Sequence, residues 1–268
     1  LVANSWTPHL VVAERYRAGR VLLAGDAGHQ FIPTGGYGMN TGVADAVDLG
    51  WKLAAVLNGW GGDTLLDSVC SERRQIALQN RGAALANAQL RFRIEALLQE
   101  AMAKGDIDSP AFAGVRAELA AQIAAIGNQE NESWGIEHGY RYVGSPVVVC
   151  DQEPELAPEF DPLHARPSGW PGARLPHFFL QDGTVLHDRL GREFTLIALA
   201  GADSAGFERA AAETGVPLSV LRLASEPGLQ ALGYALLLVR PDHHIAWSGN
   251  RLPADCRAVL LQATGRKP

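Results

Sequence analysis

A single carboxylate, Asp26, stands between a short apolar run and a glycine-rich loop. The order is Gly19-Arg-Val-Leu-Leu-Ala-Gly25-Asp26-Ala-Gly-His29-Gln-Phe-Ile-Pro33-Thr-Gly35-Gly36-Tyr-Gly38-Met39-Asn40. A carboxylate at the carboxyl end of a strand accepts hydrogen bonds from hydroxyls, so Gly25-Asp26 suits a polyol. Pro33 restricts the loop. Gly35, Gly36 and Gly38 let backbone approach a flat ring with no Cβ in the way. Amides near Met39 and Asn40, at the start of a helix, offer donors and partial positive charge to an electron-rich ring edge. Each feature alone has a plainer reading: Asp26 as a turn cap, the loop as a glycine turn. In this order they suit a ligand that joins a polyol to an acceptor-rich ring.

The elements that must position these residues are legible as periodicities. Residues 21–24 form an apolar run bounded by turn residues, as a buried strand would. From 41 to 57 the pattern is helical and largely apolar, with Asn58-Gly59 as its stop. Asp48 and Lys52 are an i,i+4 pair in the favoured orientation. Residues 65–92 and 112–126 read as helices, with the break at 105–110. Prolines at 154, 158, 162, 167, 171 and 176 mark an extended segment or boundary. Beyond it, strand (194–200), helix (204–214), strand (218–223), hairpin (235–248 around Pro241-Asp-His-His244) and helix (255–261) follow in turn.

The chain has 268 residues, 47% hydrophobic and 19% charged, an ordinary soluble globular composition, and the order of strands and helices above points to an α/β fold. A net charge of -6 with no long basic run gives nucleic-acid binding no electrostatic support. The longest apolar runs are too short to span a bilayer. Cys70, Cys150 and Cys256 are far apart, show no metal or CxxC spacing and fit a reducing cytoplasm. Adjacent His243 and His244 face opposite ways on a strand end, which disfavours a shared metal. No residue demands the role of catalytic acid, base or nucleophile.

The segment from Val12 through Gly25-Asp26-Ala-Gly-His29 and Pro33-Thr-Gly-Gly-Tyr-Gly-Met-Asn40 to Asp45 and Trp51-Lys52 resembles the second flavin motif of FAD-dependent aromatic hydroxylases. The match runs over about forty consecutive positions with fixed internal spacing, far more specific than a lone GxGxxG. The resemblance implies that Asp26 binds the FAD ribitol, that the Pro33 carbonyl lies near the reactive carbon of the flavin, and that Asp45 ties down the neighbouring loop. His29 is expected to be structural, bonded to nearby backbone. Gln30, Phe31 and Tyr37 depart from the residues expected there, which leaves substrate specificity open. The family's activity would be NAD(P)H-dependent hydroxylation of a phenolic aromatic substrate with O2, through a flavin C4a-hydroperoxide.

The family's GxGxxG segment for the ADP half of FAD does not occur in this sequence. The chain is therefore expected to be the C-terminal portion of a longer hydroxylase, inactive without the N-terminal half. The implied division is 1–60 as the tail of a Rossmann-like FAD-binding domain, 61–150 as a helical segment completing the flavin and substrate region, 151–176 as a proline-rich linker, and 177–268 as a thioredoxin-like domain. The stretch 135–142, with Tyr140 and Tyr142, would return towards the flavin domain. Gly201-Ala-Asp-Ser-Ala-Gly206 stands where a redox thioredoxin carries CxxC, so an architectural role or homodimer contact is expected there. The alternatives are a non-catalytic FAD-site remnant that dimerises, a thiol redox module, and a flavin oxidase releasing only peroxide.

Overall fold

The computed structural model describes residues 7–267. Two short antiparallel ladders carry the glycine-rich loop. Val11–Val12 (β1) pairs with His29–Gln30 (β4), and Arg17–Ala18 (β2) pairs with Val21–Leu22 (β3) around Gly19 at φ +58°. The expected buried strand over 21–24 is shorter and open: it spans two residues, and Val21 is 63% exposed. Its only partner among the described residues is a two-residue strand, too short to cover a face. Asp26 accordingly sits past the strand, in a single 3-10 turn at Gly25–Ala27.

The first helix, α1, spans Tyr37–Leu57 and starts four residues before the expected position 41. Gly36, at φ +70°, takes the cap position, and burial of the Tyr37 ring fixes the first turn. Asn58 and Gly59 (φ +81°) end the helix, as the sequence indicates. Helix α2 spans Asp63–Ala103, 41 residues or about 60 Å, and packs along α1. Helix α3 (Ala113–Ile126) folds back on α2, and the one-turn helix α4 (Trp134–His138) lies beside them.

The C-terminal part is strand β5 (Phe194–Leu199), helix α5 (Ala205–Thr214), strand β6 (Leu218–Leu223), helix α6 (Pro227–Gln230), strands β7 (Leu236–Val239) and β8 (Ile245–Gly249), and helix α7 (Cys256–Ala263). The sheet order is β6-β5-β7-β8, with β5 and β6 parallel and the other pairs antiparallel. This is the βαβ, hairpin, helix arrangement of a thioredoxin-like fold. Every residue of β5 is buried because both faces of the sheet are covered. One face packs Ile197, Leu237 and Ile245 on Leu175, Leu186 and Leu229. The other packs Phe194, Leu196 and Leu238 on α5 and α7, and also on Trp51, Ala55 and Leu65 from α1 and α2. Trp51, Trp60 and Phe194 form an aromatic triangle with centroids 5.9–6.4 Å apart. The flavin-motif helix thus shares a core with the thioredoxin-like sheet. Among the described residues no helix is long and apolar enough to cross a membrane.

Candidate functional site

The sequence-expected residues gather at the amino end of α1. Gly35 and Gly36 both lie at positive φ (+74° and +70°), and a Cβ on Gly35 would stand 2.5 Å from the Tyr37 ring. A Cβ on Gly42 would reach within 3.2 Å of the Gly25 Cα, so glycines let the second turn of α1 seat the Gly25–Ala27 turn directly. Asp26, Pro33, Met39 and Asn40 are exposed, and Gly38 faces open space. The Asp26 carboxylate has no hydrogen-bond or ionic partner among the described residues, so the turn-cap reading has no support. The Asn40 amide donates to the Gly36 carbonyl (2.9 Å), and among the described residues no side chain caps the first-turn amides of α1.

Asp45 fixes this arrangement from below. Its Oδ2 accepts the Gly25 N–H (3.0 Å) and lies 2.9 Å from His29 Nε2, while Oδ1 accepts from Arg73 Nε (2.8 Å). Burial opposes ionisation of Asp45, but the His29 hydrogen bond and the Arg73 charge outweigh it and hold the carboxyl below its ordinary range. Asp45 does tie down the neighbouring loop. His29 is structural, but its partner is this buried carboxylate, not backbone. Arg73 also donates to Tyr142 Oη (3.1 Å), a role that the sequence pattern of its helix does not assign it.

A second buried network lies one turn further along α1. Lys52 Nζ contacts Asp48 (2.9 Å) and Glu72 (2.6 Å). Arg240, just past β7, joins Glu72 (2.6 Å), Asp242 (2.5 Å) and Asp48 (3.2 Å), and lies 5.1 Å from the Trp51 ring. The i,i+4 pair in the sequence is one edge of this five-membered ionic cluster. Three carboxylates face two cations. Burial, with Glu72 and Asp242 beside it, pushes Asp48 up to about 7. Burial also disfavours the Glu72 anion, yet Arg240 and Lys52 prevail and hold it at about 2. Burial lowers the pKa of the sixth neighbour, His244, against the opposing pull of Asp242, and its ring stacks on Tyr142 with centroids 4.2 Å apart. His243 turns the other way, towards His187.

Beside the glycine-rich loop is a cavity of about 260 Å3 between α1, α2 and α4, lined by Tyr37, Asn40, Arg73, Asn80, His138 and Tyr140. Asn80 donates to Thr41 Oγ1 (2.8 Å), and its buried Oδ1 has no partner among the described residues. The 135–142 stretch does return to the loop. Together, a free carboxylate, a glycine-rich loop and uncapped helix amides fit the ribityl chain and ring edge of a flavin.

Two family models match the chain, an FAD binding domain over residues 2–83 and an aromatic-ring hydroxylase C-terminal domain over residues 168–266. The FAD-dependent monooxygenase opdD of Penicillium oxalicum is 38% identical over 98% of this chain and 51% of its own length. The 4-methyl-5-nitrocatechol 5-monooxygenase of a Burkholderia species is 36% identical over 96% of this chain and 45% of its own. Among solved structures, the rebeccamycin biosynthetic enzyme RebC with reduced flavin superposes at a TM-score of 0.83, with 37% identity over 95% of this chain and 46% of that one. Aklavinone-11 hydroxylase with FAD and aklavinone does so at 0.68, with 32% identity over 95% and 45%. The chain spans about half the length of the curated relatives it matches. With both regions matched in order on one shared core, this chain carries an FAD binding domain segment and an aromatic-ring hydroxylase C-terminal domain, and is similar to FAD-dependent monooxygenases over about half of their length.

Proposed function

We propose that this chain supplies one side of the flavin site, and the mounting for it, in an NAD(P)H-dependent monooxygenase that hydroxylates a phenolic aromatic substrate. The observation that carries the reading is the unpartnered Asp26 carboxylate on a turn locked by Asp45, beside the 33–40 loop. Gly25 and Asp26 would hold the ribityl hydroxyls. Pro33, Gly35, Gly36 and Gly38 would let the ring approach, and the amides of Met39 and Asn40 would meet its pyrimidine edge. When bound, FAD supplies the redox chemistry, accepting electrons from the nicotinamide and activating O2 for oxygen transfer.

The protein's own contribution is position and field. The amino end of α1 places partial positive charge where the reduced ring carries negative charge. The cavity lined by Asn80 and Tyr140 offers a hydrogen-bonding wall and an aromatic face to a phenol next to the loop. The domain limits 1–60, 61–150, 151–176 and 177–268 fit this division of labour. The N-terminal half would provide the adenine-dinucleotide contacts. A homodimer through the C-terminal domain and a cytoplasmic setting, suited to three free cysteines, complete the proposal.

The test is product analysis with a phenolic substrate and NADPH in the flavin-loaded protein that contains this sequence. Hydroxylated product matching NADPH consumed supports the reading. Peroxide alone indicates an oxidase, and no flavin uptake indicates a non-catalytic remnant.

A further inference from the structure

A second cavity, of about 300 Å3, opens on the far side of the His138–Tyr140 wall, between α4, the proline-rich segment and the backbone leading into the thioredoxin-like domain. Its charge runs against that of the chain. The protein carries a net charge of -6, yet Arg141, Arg166 and Arg174 all line this cavity. Of its two carboxylates, Asp161 is already engaged by His164 (2.9 Å) and Arg166 (3.8 Å), and Glu159 is exposed. Among the described residues the Arg141 side chain donates only to the Pro158 carbonyl (2.7 Å). Arg174 makes no side-chain hydrogen bond and no ion pair among the described residues, although it is half-buried. Its positive field reaches His138, His187 and His243 and, after burial, helps keep all three below their ordinary range.

Two partly desolvated guanidiniums without a carboxylate call for an anion. The remaining walls specify what kind. Trp134 lines the cavity and is 59% exposed, its ring 5.5 Å from the His138 ring, and Pro158, Pro167 and Leu175 supply apolar surface. Aromatic surface beside a guanidinium fork suits a planar carboxylate. The volume admits one or two rings and is too small for a dinucleotide, being at the lower end of small-molecule sites.

We propose that this cavity binds an aromatic carboxylate of one or two rings, held by Arg174 and Arg141 and stacked against Trp134. It is distinct from the flavin-side cavity, which it meets only at His138 and Tyr140. The proposal concerns binding and does not depend on flavin, so its failure is separable from failure of the hydroxylase reading.

The experiment is calorimetric titration of the 268-residue chain, without FAD, with 2-naphthoate, neutral 2-naphthamide and inorganic phosphate, repeated on Arg174→Gln and Trp134→Ala. The expected result is naphthoate binding at least tenfold tighter than naphthamide. Arg174→Gln should remove that preference, and Trp134→Ala should weaken both aromatic ligands. Equal binding of the two aromatics, no binding at millimolar concentration, or indifference to Arg174→Gln overturns the proposal. Phosphate binding tighter than naphthoate overturns its aromatic part. The naphthoate–naphthamide comparison on the unaltered chain decides the matter even if a variant fails to fold.

Discussion

Arg240 and Glu72, 168 residues apart in the chain, form a two-pronged ion pair with no solvent exposure, Nη1 to Oε1 at 2.6 Å and Nη2 to Oε2 at 2.9 Å. Arg240 belongs to the hairpin of the thioredoxin-like sheet and Glu72 to the helix that braces α1. The pair therefore fastens the C-terminal domain to the helix whose amino end carries the glycine-rich loop. A buried pair of this kind contributes little over an apolar replacement, but removing one partner strands the other charge.

Arg240→Ala should accordingly destabilise the chain by about 3–5 kcal/mol in denaturant unfolding. Glu72→Gln should also destabilise, since Lys52 and Arg240 each lose one of their counter-charges. A loss below ~1 kcal/mol for Arg240→Ala would mean that the cluster is hydrated and does not fasten the two parts.

Asp48 gives a pH signature. Its folded value near 7 lies above that of an unfolded carboxyl, so the folded state holds the proton longer. Its contribution is fully present below pH 4 and is lost as pH rises through 7. Asp48→Asn mimics the protonated form. It should be more stable than the parent at pH 8, by ~1–3 kcal/mol, with the gap closing towards pH 5. Glu72 and His244 run the other way, their folded values being depressed, so both stabilise at neutral pH and are lost in acid. A gap between Asp48→Asn and parent that is flat from pH 5 to 8 would refute the assignment.

Two neighbouring glycines separate folding from binding. Gly35→Ala must adopt φ +74° and push into the Tyr37 ring, so it should cost at least ~1–2 kcal/mol of stability. Gly38 lies inside α1 facing open space, where alanine is the better helix former. Gly38→Ala should raise stability by ~0.5–1 kcal/mol while weakening flavin binding, because the new methyl stands where the ring would approach. Unchanged flavin affinity in Gly38→Ala would move the ring away from this loop.

Much of this was legible in the sequence because the signals are local. The strand limits of β6, the stop of α1 at Asn58-Gly59 and the order of the C-terminal elements follow from periodicity and turn residues. The start of α1 was misplaced because Gly36 and Gly38 hid a turn that burial of Tyr37 settles. The strand before Asp26 read as buried from its apolar run, which cannot report how few partners it has. The Asp45–His29–Arg73 hub and the Arg240 cluster were out of reach for another reason. Apart from the Asp48–Lys52 and Arg240–Asp242 edges, they join residues 16 to 192 positions apart, and a lone Arg or Glu in a helix looks the same whether it faces water or a partner.

The most direct measurement is an FAD titration of this chain, followed by flavin fluorescence, with Asp26→Ala alongside. Asp26 is exposed and its carboxylate has no partner among the described residues, so the variant should keep the parent's unfolding midpoint. With contacts to the ribityl chain and ring edge only, binding by the parent should be no tighter than micromolar, and Asp26→Ala should weaken it at least tenfold. Sub-micromolar binding that Asp26→Ala leaves unchanged would place the flavin elsewhere and contradict the account.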